Sequence, residues 1–389
     1  VARALASQGA LGALVTEAWA PPGSIWSRIA PRLAQRFHFD LAQLPVHAWT
    51  GQSVIFEALA RGRGLAGWDL MLARNHWYGR NAVAALERLA LEMDRLGNSS
   101  NAKPTLFSYS YTALELFRWA KTRGWRTVLG QIDPGEHEED IVKELQSRCG
   151  GINSRWVAAP VTYWEEWRKE CELADKIIVN SEWSRIGLLK KNIDARKIIN
   201  IPLIFENKTE KKIYARKIPQ SFSAIRPLRL LFLGQITVRK GIFELFDAIN
   251  LLKSENVVFD LVGPSTVEMP VDIKSNPKVK WLGAVTREDV FGCYRSSDIL
   301  IFPTHSDGFG LTQLEAMSQG LPVIASRNCG DVIQEGVNGL LLDKVSGQEI
   351  ANKIMYFLKN PSALESMMQN CHVNSRFSMS HVGKLFVAA

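Results

Sequence analysis

The sequence predicts an α/β protein with two domains, each built on a parallel sheet with helices on both faces. Its 389 residues are too many for one ordinary core, because about 150 residues per domain is the soft prior. Along the second half, short apolar runs alternate with helical patterns, which is the rhythm of strand, crossover helix and parallel strand. Eleven of the twelve tryptophans precede residue 184, so the two halves also differ in composition.

The pattern assigns elements in chain order. The first half has candidate strands in ALGALVTE, TLFSYS, RTVLGQID and ADKIIVNS. The second half gives strands in LRLLFLG, VVFDLVG, KVKWLGA, DILIFPT and LPVIAS, and helices in GIFELFDAINLLKSE, REDVFGCYRSS and LTQLEAMSQG. Both halves are therefore predicted to be Rossmann-like. The last helical pattern, RFSMSHVGKLFVAA, is expected to pack on the first domain.

The domain boundaries follow from a break in this rhythm. The stretch FENKTEKKIYARKIPQSFSAIRPLR is polar and basic and mostly lacks periodicity, which is typical of a linker. We predict a first domain at 1–205, a linker at 206–228, a second domain at 229–372 and a terminal helix at 373–389. The opening residues have the pattern of a helix end that feeds a strand, so part of the first domain is expected upstream of residue 1.

Composition is that of a globular protein. Hydrophobic residues make up 46% and charged residues 22%, so disorder and fibrous structure are disfavoured. No apolar run approaches the roughly 18 residues of a membrane span. The five cysteines include no C-x-x-C pair, which argues against zinc and disulfides and favours a reducing cytoplasm. The net charge of +8 suits nucleic acid, anionic lipid or a phosphorylated small molecule, and dispersed Lys and Arg disfavour nucleic acid.

Two strand-to-helix junctions of the second half are candidate sites, because open parallel sheets bind ligands at the carboxyl ends of their strands. In LLFLGQITVRKGIFEL a strand ends at Gly234, and Arg239 and Lys240 precede a helix that starts near Gly241. A cationic pair beside a helix N-terminus suits a diphosphate. The alternative is that the two charges only solvate a loop.

The second junction is DILIFPTHSDGFGLTQLEAM. Gly308 and Gly310 permit close backbone approach, and a helix whose first amides lack internal partners begins at Leu311. Asp307 precedes this turn and Glu315 lies within the helix, so the two carboxylates can approach one ligand from different sides. Glu315 is an exposed helix charge or an inward carboxylate that needs hydroxyl partners, such as a ribose diol. Together the junctions predict a nucleoside diphosphate site.

Other motifs support weaker hypotheses. The run GRGLAG, Gly62 to Gly67, matches the dinucleotide fingerprint, but the fingerprint needs a strand before it and a helix after it. Here SVIFEALARG before it is helical and WDLMLARN after it looks like a strand, so a nicotinamide oxidoreductase is disfavoured. In LGQIDPGEHEEDIVKELQ, Asp133 or His137 could face the cleft as a base, or the segment is a Pro-Gly turn before an acidic helix N-terminus. Aromatics in AWAPPGSIWSR and ARNHWYGRN line an acceptor pocket or belong to the core.

The second half resembles the retaining nucleotide-sugar glycosyltransferases of family 4, which have the GT-B fold of two Rossmann-like domains facing a cleft. Asp307 and Glu315 occupy the two places of the paired-acid motif of that family. The resemblance implies that Glu315 binds the donor ribose and that Asp307 lies near the donor sugar. For donor binding as a whole it implies Gly234, Gln235, Arg239, Lys240, Gly283, Val285, Gly308, Phe309, Gly310, Leu311 and Glu315.

The sequence departs from the family pattern in places. The first acid is Asp307 where Glu is usual, and Gln235 stands in an arginine place for which Arg239 could substitute. The first half matches the family mainly at LADKIIVNSEWSR, and the nearest equivalents of a first-domain histidine are Ile132 and Asp133. The family's first strand and glycine-rich loop would precede residue 1.

The resulting expectation is a cytoplasmic enzyme. Peripheral contact with the inner face of the membrane is left open. The enzyme moves a sugar from a UDP or GDP sugar to a saccharide or lipid-linked acceptor with retention, in glycan, cell-envelope polysaccharide or glycolipid synthesis. It uses no metal or cofactor and binds no nucleic acid, and the positive charge is consistent with an anionic membrane surface. The expected catalytic residues are Asp307, Lys240, Arg239, Asp133 and His137. The alternative is a non-catalytic or truncated nucleotide-sugar binding protein.

Overall fold

The computed structural model describes residues 1–95, 103–148, 156–206 and 216–389. Three parallel sheets organise the described residues, with two, four and six strands. The first half contains α1 (Ala2–Ser7), β1 (Leu14–Thr16), α2 (Ile25–Ile29), α3 (Pro31–Ala34), β2 (Val46–Ala48), α4 (Thr50–Gly62), α5 (Gly67–Arg95), β3 (Thr105–Tyr109), α6 (Leu114–Thr122), β4 (Arg126–Gln131), α7 (Glu136–Arg148), α8 (Val161–Leu173), β5 (Lys176–Val179), α9 (Glu182–Lys190) and β6 (Ile198–Asn200). Strand β1 pairs with β2, and the larger sheet has the order β3-β4-β5-β6.

The second half supplies the six-stranded sheet. Its elements are β7 (Leu228–Leu233), α10 (Ile242–Leu251), β8 (Val257–Val262), α11 (Val271–Lys274), β9 (Val279–Gly283), α12 (Arg287–Ser296), β10 (Ile299–Phe302), α13 (Leu311–Ser318), β11 (Val323–Ser326), β12 (Gly339–Leu342), α14 (Gly347–Lys359), α15 (Pro361–Gln369) and α16 (Met379–Ala388). The strand order is β12-β11-β10-β7-β8-β9. The order reverses between β7 and β10, and such a switch point opens a crevice at the carboxyl ends of the strands.

The core explains why the second half was predictable. Strands β10 and β11 are buried along their whole length, as expected for strands covered on both faces. On one face Leu245 of α10 and Phe357 of α14 belong to one cluster, and on the other Tyr294 of α12 and Leu314 of α13 belong to another. The predicted α/β class with parallel sheets is confirmed.

The terminal helix α16 returns to the first half, as predicted. Val382 is fully buried in a cluster with Val128 and Ile178 of the four-stranded sheet and with Ile201, which follows β6. Helix α16 also packs against α1. The predicted linker includes residues 207–215, which lie outside the described residues, and residues 216–227 form no helix or strand. The exact domain boundaries therefore stay predictions.

One predicted strand is wrong. The segment WDLMLARN begins the long helix α5, whose buried residues include Gly79, Ala82, Leu86 and Ala90. This helical spacing continues for several turns beyond the short window that suggested a strand. The GRGLAG run is consequently a turn between α4 and α5, with no strand before it. The dinucleotide fingerprint lacks its structural context here.

Three strands, β2, β6 and β12, were not predicted. Each has only three or four residues, so periodicity gives little signal.

Of the cysteines, Cys149 lies outside the described residues, and the four described ones are free thiols. None of the helices in the described ranges combines the length and apolarity that a bilayer crossing requires.

Candidate active site

Glycines stand where β7, β8 and β9 end at the carboxyl edge of the six-stranded sheet. A Cβ atom at Gly263 would lie 1.8 Å from the carbonyl oxygen of Gly234, and the Gly263 amide donates to Gly283 O over 2.7 Å. At Gly234 and Gly283, no described heavy atom other than their chain neighbours lies within 4 Å of an added Cβ. The backbone at these two positions thus faces open space. Gln235 is exposed beside it.

The two predicted junctions meet in space. Gly241 has a φ of +72°, and a Cβ atom there would lie 2.0 Å from the carbonyl oxygen of Pro303. The His305 amide also donates to Arg239 O over 2.8 Å. Glycine at position 241 therefore permits the loop that carries Arg239 and Lys240 to pack directly against the loop that carries Asp307.

Lys240 and Asp307 form an ion pair, and both side chains are largely buried. The Lys240 ammonium also lies 5.2 Å from the centre of the Phe302 ring, a favourable cation–π distance. Because the carboxylate already neutralises this ammonium, an incoming phosphate has to share Lys240 with Asp307 or replace it.

Arg239 is held by both halves of the chain. Its Nη1 atom donates to Ser306 O over 2.6 Å and lies 3.4 Å from Oε2 of Glu138, which belongs to α7. The Ser306 hydroxyl donates to the same Glu138 oxygen over 2.7 Å and accepts from Trp183 Nε1 over 3.0 Å. Burial raises the pKa of the Glu138 carboxyl, and the positive charge of Arg239 opposes part of that rise.

The sequence analysis did not select Glu138, although it examined the segment. Three acids, Glu136, Glu138 and Glu139, occupy the first turn of α7. Glu136 pairs with Arg168, and Glu139 is buried and accepts the Ala159 amide at 2.9 Å. Acids in a first helical turn are a general preference, so the pattern alone did not distinguish the one that contacts the second half.

The turn after β10 that contains Gly308 and Gly310 is hydrogen-bonded to the first half. The Gly308 carbonyl accepts hydrogen bonds from the hydroxyls of Ser181 and Ser184. A Cβ atom at Gly308 would lie 2.1 Å from Ile132 O, so this close approach requires glycine. Gly310 has a φ of +78° and precedes Leu311, the first residue of α13. The Phe309 ring is buried in the core, which leaves its backbone as the part available to a ligand.

Glu315 is half-buried on α13. Its Oε2 atom accepts a hydrogen bond from the Tyr294 hydroxyl over 2.9 Å. Burial, together with the negative charge of Glu315, raises the pKa of Tyr294, which stays a neutral donor. The expectation of a partly buried carboxylate with a hydroxyl partner is met, and the partner here belongs to the protein. Val285, the remaining donor-side residue, is half-buried after β9.

Asp133 and His137 have their hydrogen-bond partners within the first half. Asp133 Oδ1 accepts from Tyr111 OH at 2.6 Å, Gln131 Nε2 at 2.8 Å and the Gly135 amide at 2.9 Å, which fixes the turn before α7. His137 Nε2 lies 3.1 Å from Lys190 Nζ on α9. Burial and the neighbouring lysine lower the pKa of His137. The geometry matches the alternative of a turn followed by an acidic helix start.

The fold and the site together indicate the structural class of this protein. The two α/β halves contact each other at the loop that carries Asp307, and the carboxyl edge of the six-stranded sheet also carries the open glycines. The described residues include no group of three or more His, Cys, Asp and Glu side chains arranged to hold a metal. HepE of Anabaena, solved in complex with UDP-glucose, superposes with a TM-score of 0.58 at 18% identity, covering 97% of this chain and 98% of HepE. The chain has the GT-B fold.

The family match lies in the second half. Residues 227–360 match the family model for glycosyl transferases group 1, about a third of the chain. An uncharacterized glycosyltransferase of Methanocaldococcus jannaschii is 27% identical over 203 residues, 51% of this chain and 53% of the relative. The capsular polysaccharide biosynthesis glycosyltransferase CapM of Staphylococcus aureus is 29% identical over 159 residues, 38% of this chain and 41% of CapM. The matches span about half or less of these relatives.

Proposed function

We propose that this protein transfers a sugar from a nucleoside diphosphate sugar to an acceptor hydroxyl with retention at the anomeric carbon. The observation that carries the proposal is the meeting of Lys240, Arg239 and Asp307 at the same carboxyl edge of the sheet as the open glycines Gly234 and Gly283. Cations next to exposed backbone amides suit a diphosphate. UDP-glucose is the first donor to test, because HepE was solved with it.

The donor fits along the carboxyl edge of the sheet in a defined direction. The base lies at the backbone between Gly283 and Val285, and the diphosphate lies before Gly234 and Lys240. The free oxygen of Glu315 accepts a ribose hydroxyl while Tyr294 holds the other oxygen. The sugar then lies against the turn at 308–311, next to Asp307.

The chemistry needs stabilisation of the departing diphosphate. The acceptor oxygen bonds to the anomeric carbon on the face from which the diphosphate leaves, and the acceptor proton passes to a diphosphate oxygen. Lys240, Arg239 and the first amides of α13 stabilise the negative charge that develops. Preorganised donors of this kind typically contribute about 3 kcal/mol each at a transition state. The proposal uses no metal and no cofactor.

The resting ion pairs give Asp307 a role in this exchange. When the diphosphate binds Lys240, the Asp307 carboxylate is released from the ammonium. It is then available to hydroxyls of the donor sugar or to charge that develops at the anomeric carbon. Removing the carboxylate should therefore affect turnover more than donor affinity.

The acceptor is a saccharide or a lipid-linked saccharide, and contact with an anionic membrane surface is part of the proposal. Helix α2 lies against α4, since a Cβ atom at Gly51 would lie 2.8 Å from the Trp26 ring. Their large apolar side chains with more than half of their surface exposed are Ile25, Ile29, Ile55 and Leu59. Arg28 is exposed among them. An apolar face with an arginine suits the interface of an anionic bilayer.

A non-catalytic nucleotide-sugar binder is the second candidate. Both donor cations already have carboxylate partners, Arg239 with Glu138 and Lys240 with Asp307, and Gln235 replaces a cation that the family resemblance implies. Such a protein binds a nucleotide sugar without releasing nucleotide in any acceptor mixture.

The deciding experiment measures UDP- and GDP-sugar binding by calorimetry and nucleotide release by coupled assay. It uses the full chain, Lys240→Ala, Glu315→Ala and the control Lys359→Ala, whose lysine is exposed at the end of α14. Binding lost in the first two variants and kept in the control supports the donor site. Nucleotide release with an acceptor supports transfer, release without it supports hydrolysis, and absence of binding refutes the proposal.

A further inference from the structure

The carboxyl edge of the six-stranded sheet continues past the proposed donor site. Strands β11 and β12 lie on one side of β10, and β7, β8 and β9 lie on the other. Beyond the ends of β11 and β12 is a cavity of about 280 Å³. The residues that define its chemistry are Arg148, His305, Arg327, Asn328, Asp343 and Lys344. The donor assignment uses none of them.

The cavity adjoins the proposed reacting centre. The Asp307 amide donates to the Asn328 carbonyl over 2.9 Å, so the loop after β11 is bonded to the residue beside the donor sugar. His305 precedes Asp307 by two positions and its Nε2 atom lies 2.7 Å from Glu244 Oε1. Arg148 ends α7 of the first half. Both halves therefore contribute to the cavity, as expected for a cleft subsite.

Positive charge dominates the lining. The lining includes the basic residues Arg148, Arg327 and Lys344, and Asp343 is the acid among the lining residues. The Arg327–Asp343 pair spans 4.0 Å and both side chains are mostly exposed, as is the pair of Arg148 with Glu144 on the same helix. Exposed pairs of this kind are weak. These cations can consequently turn to an incoming anion at little cost.

We propose that this cavity binds an anionic group, phosphate or carboxylate, of the saccharide acceptor. The proposal rests on the glycosyl transfer proposed above, because the donor sugar at Asp307 is what makes the neighbouring cavity an acceptor subsite. Arginine guanidinium groups bind both kinds of anion in bidentate geometry. The volume is close to the lower end for small-molecule sites and suits one charged sugar unit.

The test measures binding of inorganic phosphate and of glucuronate, each alone, by calorimetry at low ionic strength. It compares the unmodified chain with Arg327→Gln/Lys344→Gln and with Lys240→Ala. A control, Lys253→Gln/Lys359→Gln, removes the same charge from exposed positions elsewhere. We expect the cavity variant to weaken binding of at least one probe by about tenfold or more, because hydrogen bonds to charged groups are the strong ones. We expect the control to bind it normally. We expect Lys240→Ala to lose only phosphate binding at the donor junction and to keep the binding that the cavity variant loses.

Three results overturn the proposal: no binding of either probe to the unmodified chain, loss in Lys240→Ala without loss in the cavity variant, or equal loss in the cavity variant and its control. The first leaves no anion subsite, the second places the anion at the donor junction, and the third is a general charge effect. The probe whose binding the cavity variant loses indicates whether the acceptor carries a phosphate or a carboxylate. Circular dichroism and urea denaturation, measured in parallel, check that the cavity variant is folded. Because the probes need no donor, failure of the donor proposal appears separately, as UDP-sugar binding that is absent in every variant.

Discussion

Helix starts at the carboxyl edges of the two larger sheets are completed in different ways. In the six-stranded sheet, α10 and α13 begin after Gly241 and Gly310, and neither start has a side-chain cap. In the four-stranded sheet, the start of α6 is closed by Glu170 of α8. Its carboxylate accepts the amides of Tyr111 and Ala113 at 2.7 Å and of Leu114 at 3.1 Å.

The comparison distinguishes a sheet edge that is closed by a side chain of the protein from one that is open to a ligand. Helix N-termini attract anions in both sheets. In the first half a carboxylate that is 2% exposed already occupies this position, so the edge is satisfied by the protein itself. In the second half the starts of α10 and α13 have no side-chain cap, and the open glycines Gly234 and Gly283 face free space. An edge with its own anion stabilises the fold, and an edge without one suits a diphosphate.

The largest expected effect comes from removing the cation of the open edge. Lys240→Ala should lower the turnover number about 100- to 1,000-fold, as loss of one preorganised transition-state donor does. Steady-state kinetics with the best donor measures it. The control Lys359→Ala should stay within a factor of about two of the unmodified chain, since surface substitutions usually change little. Unchanged turnover in Lys240→Ala would assign the diphosphate to other groups.

The closed edge should respond in stability. Glu170→Ala leaves three amides of the α6 start without their acceptor, and each unsatisfied buried group costs about 1–3 kcal/mol. We expect a loss of roughly 3 kcal/mol or more in the free energy of unfolding, measured by urea denaturation. Glu165 is exposed on the same helix, so Glu165→Ala is the matched control. Equal stability of the two variants would contradict the assignment.

The same carboxylate should make stability depend on pH. Burial raises the pKa of Glu170 to about 7, above its usual value near 4.3 in an unfolded chain. The folded protein then binds more protons between these values, so the free energy of unfolding falls as pH rises from about 5 to about 7, by about 2 kcal/mol. Denaturation at several pH values measures the slope. Glu170→Gln should flatten it, and a slope that persists in this variant assigns it to another group.

The smallest expected effect concerns the contact between the halves. Glu138→Gln removes the charge that competes with a diphosphate for Arg239, so donor affinity should rise, by about two- to tenfold for a part-buried pair. Calorimetry with the nucleotide measures it. Glu144 is exposed on the same helix, so Glu144→Gln controls for overall charge. Weaker donor binding in Glu138→Gln would mean that Glu138 positions Arg239 rather than competing for it.

The first-turn acids of α7 illustrate how far prediction reached. The sequence placed an acidic helix start after β4, which the fold confirms. Three acids within four residues point to Arg168, to Ser306 and to the Ala159 amide. Asp133, which looked like a cleft residue, holds its own turn instead. The helical period fixes the direction in which each side chain leaves its helix. Which residue that side chain contacts depends on the packing of the other elements around the helix.

By itself, the sequence determined the parallel α/β class and most of the strands of the second half, because apolar periodicity records burial locally. It also indicated Gly308 as a position of close backbone approach, and a Cβ atom there would lie 2.1 Å from Ile132 O. The tertiary structure alone decided that Ser306 meets Glu138, which lies 168 positions away, and that Tyr294 holds Glu315. The physical reason is that a polar side chain is satisfied by any donor or acceptor nearby, and only the packing of two halves brings a particular one within reach.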